Sequence, residues 1–301
     1  MPPRTVGVIS SGRRDRESDE IGTARGRSVR RPHLTSMKKL VHPVDVAEYR
    51  KSDGVSQSSL KWMEWSPAHF LYHTTHPTEP TPAMNLGTLI DALLFKQPLK
   101  FAVSPFDEFR TKEAKEWRAN VESGGGIVFT AERFQHAKNL VEAVNNRSVC
   151  REILEDGRAQ VGMWAELPTS DPDIPPIQCR GLADWLSNTH ACVADFKSTE
   201  DASPEAFGKH LIGMGYDMQA AMYLDLLAAN GEDGLDWIWI VGEVKPPHEV
   251  AVYKAPENLI QRGRAKYQRY LGLLGRCLAS GEWPGYPDEI QLALCPEWAL
   301  R

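Results

Sequence analysis

Apolar and polar residues alternate across residues 180–185 and 191–199, which predicts two short β-strands, and Ser187-Asn188-Thr189-His190 supplies a tight turn between them. An antiparallel hairpin follows. The two-residue period puts Asp195 and Lys197 on one face, and Asp184, at the end of the first strand, can point at the same spot. After the hairpin, Ser203-Pro204-Glu205 reads as a helix start, with a capping hydroxyl, a first-turn proline and an acid at the positive end of the dipole. The helical pattern runs to Asn230-Gly231, with a break expected at Gly213 and Gly215. Gln219 and Tyr223 lie one turn apart in it and project together.

Upstream, residues 56–95 read as helical around a proline-rich loop near residues 77–82. Within them residues 86–95 form an apolar helix carrying one acid, Asp91. Burying a lone carboxylate costs several kcal/mol, so Asp91 needs a partner or a metal. Residues 113–155 give further helices, interrupted at Gly124-Gly125-Gly126. Strands begin near Val161 and continue to Thr199, broken at Asp171-Pro172-Asp173. Residues 235–242 and 248–254 are apolar and aromatic strands, and a helix is expected over residues 256–280. The fold class is α/β (α+β): a mixed central β-sheet flanked by helices.

Two acids and a lysine on neighbouring strands suit a divalent cation. Carboxylate oxygens are the ligands Mg²⁺ and Mn²⁺ prefer, and such an ion can polarise a phosphoryl oxygen while activating water. The lysine can hold the water or stabilise the charge that builds on phosphorus. A D-x-K triplet also occurs as an ordinary cross-strand charge pair, and an amphipathic helix packs tyrosine inward and leaves glutamine at its rim.

Further segments change the balance. Ser56-Gln57-Ser58-Ser59-Leu60-Lys61, Ser66-Pro67-Ala68-His69-Phe70, Thr81-Pro82-Ala83-Met84 and Gly87-Thr88, with Gly181-Leu182-Ala183-Asp184, Asp195-Phe196-Lys197-Ser198-Thr199, Gln219-Ala220-Ala221-Met222-Tyr223 and Gly281-Glu282-Trp283-Pro284-Gly285-Tyr286, resemble the phage and prophage exodeoxyribonuclease VIII (RecE-type) family. The similarity spans about residues 49–298. That family belongs to the PD-(D/E)xK nucleases, in the branch resembling the RecB nuclease domain. The resemblance implies a PD-(D/E)xK fold and a metal-dependent exonuclease that degrades one strand of linear duplex DNA from its 5′ end, leaving 3′ tails for a single-strand-annealing recombinase. It makes Asp184 and Asp195 metal-binding acids, Lys197 the catalytic lysine, and Gln219 and Tyr223 a Q-x-x-x-Y element contacting the DNA backbone. Glu166 becomes a supporting acid on the preceding strand. Asp91 occupies a metal-facing position where relatives usually carry histidine, a departure that bears on metal preference and rate. Mg²⁺ is the implied cofactor, with Mn²⁺ as an alternative, and a ring-like homo-oligomer around DNA is the implied assembly. Two other readings keep parts of this chemistry: a structure-specific or single-strand endonuclease on the same site, and a non-catalytic DNA-binding recombination partner.

Composition constrains the setting. The 301 residues are 42% hydrophobic, enough for a full core, and no apolar stretch is long enough to span a bilayer. With no secretory leader pattern, a cytoplasmic protein is expected. Five scattered cysteines form no C-x-x-C pair, which argues against a disulfide framework, a structural zinc or an iron–sulfur cluster. The net charge of −5 disfavours DNA binding unless basic residues are concentrated. Residues 1–36 carry eight arginines against four acids and lack a hydrophobic period, so they read as a disordered basic extension, with residues 37–301 as one nuclease domain. In the body, Arg262, Arg264, Lys266 and Arg269 cluster on the last helix, fitting either a DNA footprint or a solvated face.

Overall fold

A computed structural model describes residues 39–294 apart from residues 43 and 77; the extension expected over residues 1–36 lies outside the described residues. The first strands, β1 (Lys39–Val41) and β2 (Val55–Ser56), are short. A small parallel pair, β3 (Phe101–Val103) and β4 (Ile127–Phe129), stands apart. The main strands are β5 (Gly157–Leu167), β6 (Ile177–Ser187), β7 (Cys192–Thr199), β8 (Asp236–Glu243) and β9 (Val250–Lys254). They build a mixed sheet in the order β1-β5-β6-β7-β8-β9, with β2 added in parallel beside β6. The hairpin and the two later strands therefore form where the alternation places them.

Helices cover both faces. On the near side of the chain come α1 (Val46–Lys51), α2 (Gln57–Leu60) with a 3₁₀ turn over Lys61–Glu64, α3 (Pro67–Thr75) and α4 (Pro82–Leu94). Then follow α5 (Lys112–Ser123), α6 (Ala131–Asn146) and α7 (Ser148–Leu154). Threonines 81, 111 and 130 cap α4, α5 and α6, each hydroxyl accepting the amide three residues on. Because β7 and β8 run parallel, their link must cross the sheet, and α8 (Pro204–Met214) with α9 (Tyr216–Ala229) makes that crossover. The two helices are separated by Gly215 at φ 72°, a left-handed conformation that glycine adopts without strain. The expected break is real, but the Ser203 hydroxyl makes no capping bond. The chain closes with α10 (Glu257–Ser280).

Two cores result. Val161, Met163, Ala183, Val193 and Trp239 pack under Phe207, Met218 and Tyr267 from the crossover and α10. On the opposite face Ala194, Phe196 and Ile240 meet Leu89 and Ile90 of α4 and Leu140 and Val144 of α6. The alternation of β7 thus turns Val193, Asp195 and Lys197 toward the crossover helices and Ala194 and Phe196 toward α4.

The packing of α10 on α9 resolves the basic cluster. Arg264 makes two hydrogen bonds to Asp225, at 2.8 and 2.7 Å, Arg262 pairs with buried Asp217, and Lys266 meets Glu64 at 2.9 Å. Arg269 lies over the ring of Tyr270. Three of these four cations are held by acids on facing elements, a third answer beside a DNA footprint or a solvated face. The helices approach closely at Gly263, where a Cβ would lie 2.1 Å from the Asp217 carbonyl oxygen. Gly263→Ala must push the backbones apart. Overpacking of this kind costs about 1–3 kcal/mol, so thermal melting should fall by several degrees, at about 2–4 °C per kcal/mol. Unchanged melting would contradict this packing.

Candidate active site

The site forms where β6 and β7 part. Their ladder holds Leu186 opposite Val193 and Trp185 opposite Ala194, and goes no further. Beyond it the Asp184 carboxylate enters the gap, and its Oδ2 accepts the Phe196 N–H at 3.1 Å, satisfying an amide that the parted strands leave without a ladder partner. Asp195 follows on β7, 2% exposed. Its Oδ2 lies 2.6 Å from Lys197 Nζ, and its Oδ1 accepts from Gln219 Nε2 at 3.1 Å. Asp91, from α4, comes close enough to feel the charges of Asp184, Lys197 and Asp195.

Crowding of carboxylates in a half-buried place has electrostatic consequences. Burial, and then the Asp195 carboxylate, push Asp184 up to about 7. Asp91 is raised well above the ordinary carboxylate range by burial first and by Asp184 next. Asp195 is raised by burial, with the Lys197 ammonium working against the rise. For Lys197, burial opposes the charge, but Asp195 and Asp184 outweigh it and hold the amine above its usual value. Fully ionised, three carboxylates face one ammonium, so the centre is short of positive charge.

The donor chemistry fits a hard divalent cation: carboxylate oxygens, with no sulfur among them. Among the described residues no three His, Cys, Asp or Glu side chains stand ready as a closed ligand set. Mg²⁺ keeps several waters and needs one or two carboxylates, so Asp184 and Asp195 with support from Asp91 suffice for it.

Two neighbours escape the sequence reading. Gln160 occupies the position opposite Asp184, between the pairs Ala159–Trp185 and Val161–Ala183, and its side chain hydrogen-bonds Asp184. Its φ of 52° is a left-handed conformation uncommon for a side-chain-bearing residue. The hydrophobic alternation starts the strand at Val161, one residue too late to include it, and only the strand register exposes it. Tyr216, the first residue of α9, lies against Lys197, whose Nζ is 4.6 Å from the ring centroid. Nothing in its sequence context distinguishes it from a helix-start tyrosine.

Other expected residues take different places. The Gln219 side chain donates to Asp195. Tyr223 is 8% exposed, with its ring against Gly181 and edge-on to Trp237, and its hydroxyl bonded to the Leu182 backbone. Tyr223 thus packs on β6 and Trp237. Glu166 faces Gln178 six residues along β5 from Gln160, roughly 20 Å at the strand rise, too far to support the carboxylates.

A family model described as "PDDEXK-like domain of unknown function (DUF3799)" matches residues 56–295. The chain belongs to this PDDEXK-like family. Among solved structures, a protein from Eubacterium rectale provisionally named an exonuclease aligns with this PDDEXK-like domain at a TM-score of 0.56 and 12% identity, over 85% of this chain and 94% of the other. A phage-related exonuclease from Haemophilus somnus 129PT aligns at a TM-score of 0.31 and 11% identity, over 78% of this chain and 100% of the other. The first likeness supports the fold. No curated protein matches the PDDEXK-like chain.

Two expected results follow from the geometry. The folded Asp184 carboxyl keeps its proton to about pH 7, whereas in the unfolded chain it ionises near pH ~4. The folded metal-free protein binds the extra proton between these values, so its stability falls as pH rises through that window. Asp184→Asn removes the penalty. Without metal it should melt above wild type at about pH 8 and alike at about pH 4, each ~1 kcal/mol regained raising Tm by about 2–4 °C. Identical melting at both pH values would contradict the crowded-carboxylate picture. Second, Gln160→Ala frees Asp184 to rotate and should weaken cation binding by about tenfold, the loss of a hydrogen bond to a charged group worth ~1.5 kcal/mol, while Gln160→Glu, adding a fourth carboxylate, should not restore turnover. Calorimetric titration with Mg²⁺ checks the first variant, and unaltered affinity would remove Gln160 from the site.

Proposed function

We propose that this PDDEXK-like domain is a Mg²⁺-dependent exodeoxyribonuclease that shortens one strand of linear duplex DNA from its 5′ end and leaves 3′ single-stranded tails. The observation that carries the reading is the gap between β6 and β7, where the Asp184 carboxylate reaches the Phe196 amide beside the Asp195–Lys197 pair, with Asp91 of α4 in electrostatic range. Asp184 and Asp195 would hold the cation, and Asp91 would add a third oxygen donor or accept from a bound water. When bound, Mg²⁺ supplies Lewis-acid polarisation of the phosphoryl oxygen and lowers the pKa of water. Mn²⁺ accepts the same donors.

The chain's own residues do the rest. Lys197 carries its proton at Nζ and can donate it as a hydrogen bond to the attacking water or to the phosphoryl oxygens as negative charge builds. Gln219 and Gln160 fix the two acids, so little reorganisation is needed at the moment of reaction. Hydrolysis forms a bond from the water oxygen to phosphorus and breaks the bond to the leaving oxygen, which takes up a proton. Tails of this kind are substrates for a single-strand-annealing recombinase, the partner we assign, in a cytoplasmic setting and with a homo-oligomer encircling the DNA. Among the described residues no helix is long and apolar enough to cross a membrane.

Polarity is tested with linear duplex labelled at one 5′ or one 3′ end. Early release of the 5′ label, while the 3′ label persists on shortened single strands, is the expected result. Release from the 3′ end, or cuts scattered along the duplex, would overturn the proposed direction.

A further inference from the structure

The helical segment ahead of the site bears a chain of aromatic rings turned to solvent. Trp62 stacks on His73 at 3.5 Å between centroids and 12° between planes. Trp65 meets Trp62 edge-on at 5.6 Å and His69 at 5.3 Å, and Tyr72 stands edge-on to His73 at 5.4 Å. Tyr286, arriving from beyond α10, adds a ring 5.6 Å from His69. Trp65, Tyr72 and Tyr286 are 59%, 57% and 71% exposed. Rings of this size are normally buried for the free energy this yields, and here they are held in place by one another instead.

Charge and position indicate what covers them. The Lys61 ammonium lies 5.5 Å from the Trp62 ring centroid, while Glu64, the acid of the same turn, is drawn onto Lys266 at 2.9 Å. The mount is shared with the catalytic centre. Ser56 pairs with Arg180 on β6, the strand that leads to Asp184. The Gln57 side chain donates to the Gly215 carbonyl at 3.1 Å, and the next residue, Tyr216, lies against Lys197.

We infer that this face is a stacking platform for the unpaired bases of a nucleic-acid strand beside the cleavage centre. One face of Tyr72 is stacked on His76 at 4.5 Å, so its opposite face and the exposed Trp65 ring take bases of one strand, a contact indifferent to sequence because every base has a π-face, and Lys61 takes a backbone phosphate. An enzyme acting at duplex ends needs to hold a strand after its partner is gone. The placement rests on the proposed nuclease reading, but the binding itself requires no turnover.

The test uses the full chain in EDTA, with a labelled oligothymidylate titrated over a range of salt concentrations, so that nuclease activity has no part in the readout. Stacking is worth about 1–3 kcal/mol per base, so Trp65→Ala and Tyr72→Ala should each weaken binding by roughly 5- to 150-fold, and Trp65→Phe should retain most of it. The ring variants should keep the wild-type slope of log affinity against log salt, whereas Lys61→Gln should flatten it by about 0.7. Unchanged oligothymidylate affinity in the Trp65→Ala/Tyr72→Ala double variant, folded as judged by melting, would overturn the inference. So would a dimer of the wild type that the double variant abolishes at unaltered DNA affinity, which would give the face to a second copy of the chain. If instead the wild type fails to cut DNA with Mg²⁺ yet these affinities divide as described, the nuclease reading fails and the platform stands.

Discussion

Replacing Lys197 is expected to lower phosphodiester hydrolysis by at least ~10²–10³-fold, the loss typical when a donor aimed at developing charge is removed. Two variants separate the roles. Lys197→Ala also leaves Asp195 buried without its ion-pair partner, 2.6 Å away in the wild type, so some destabilisation accompanies it. Lys197→Gln keeps a hydrogen-bond donor of nearly the same reach and removes the charge alone. Its cation affinity should be no weaker than wild type, since a competing positive charge has gone, while its turnover stays near the Lys197→Ala level. Asp184→Ala and Asp195→Ala should fail in the opposite order, losing cation binding together with turnover. Single-turnover rates beside calorimetric Mg²⁺ titrations measure both quantities. Wild-type turnover by Lys197→Gln would remove the lysine from the chemistry.

Asp91 carries the second large effect. Its carboxyl is raised by burial and by the Asp184 charge, which places it electrostatically within the cluster although it comes from α4 on the other face of the sheet. Asp91→Asn removes one negative charge and one strong donor. Mg²⁺ affinity should fall about tenfold or more, with turnover falling alongside at limiting metal. Asp91→His substitutes an imidazole, which Mn²⁺ accepts more readily than Mg²⁺, so activity should persist with its preference moved toward Mn²⁺. Metal titrations of the activity, with melting measured alongside, decide the matter. Reduced stability with unaltered metal dependence in both variants would leave Asp91 as a buried packing acid and no more.

The hairpin, the helix break at Gly215, the strands around Trp237 and the Asp91 helix are all legible in the chain because each rests on local signals: period two, period 3.6, or a glycine in place. What was not legible depends on registers and on facing elements. Gln160 matters because β5 sets it opposite Asp184, which no local pattern near residue 160 encodes. Arg262, Arg264 and Lys266 look like a nucleic-acid stripe until their acids on α9 and the 3₁₀ turn come into contact with them. Gln219 and Tyr223 share a helix face as their spacing predicts, yet the sheet beneath turns one to Asp195 and encloses the other. Glu166 fails for a simpler reason, since six residues of extended strand separate it from the position opposite Asp184.

The central claim is that the carboxylate gap cuts DNA from its ends. It is tested most directly by giving the purified chain equal amounts of linear and covalently closed circular plasmid with Mg²⁺, beside Asp195→Asn as an inert control. The account predicts that the linear duplex is consumed from its ends while circles persist unnicked, and that Asp195→Asn leaves both intact. Nicking or linearisation of the circles, or equal loss of linear DNA with Asp195→Asn, would contradict it.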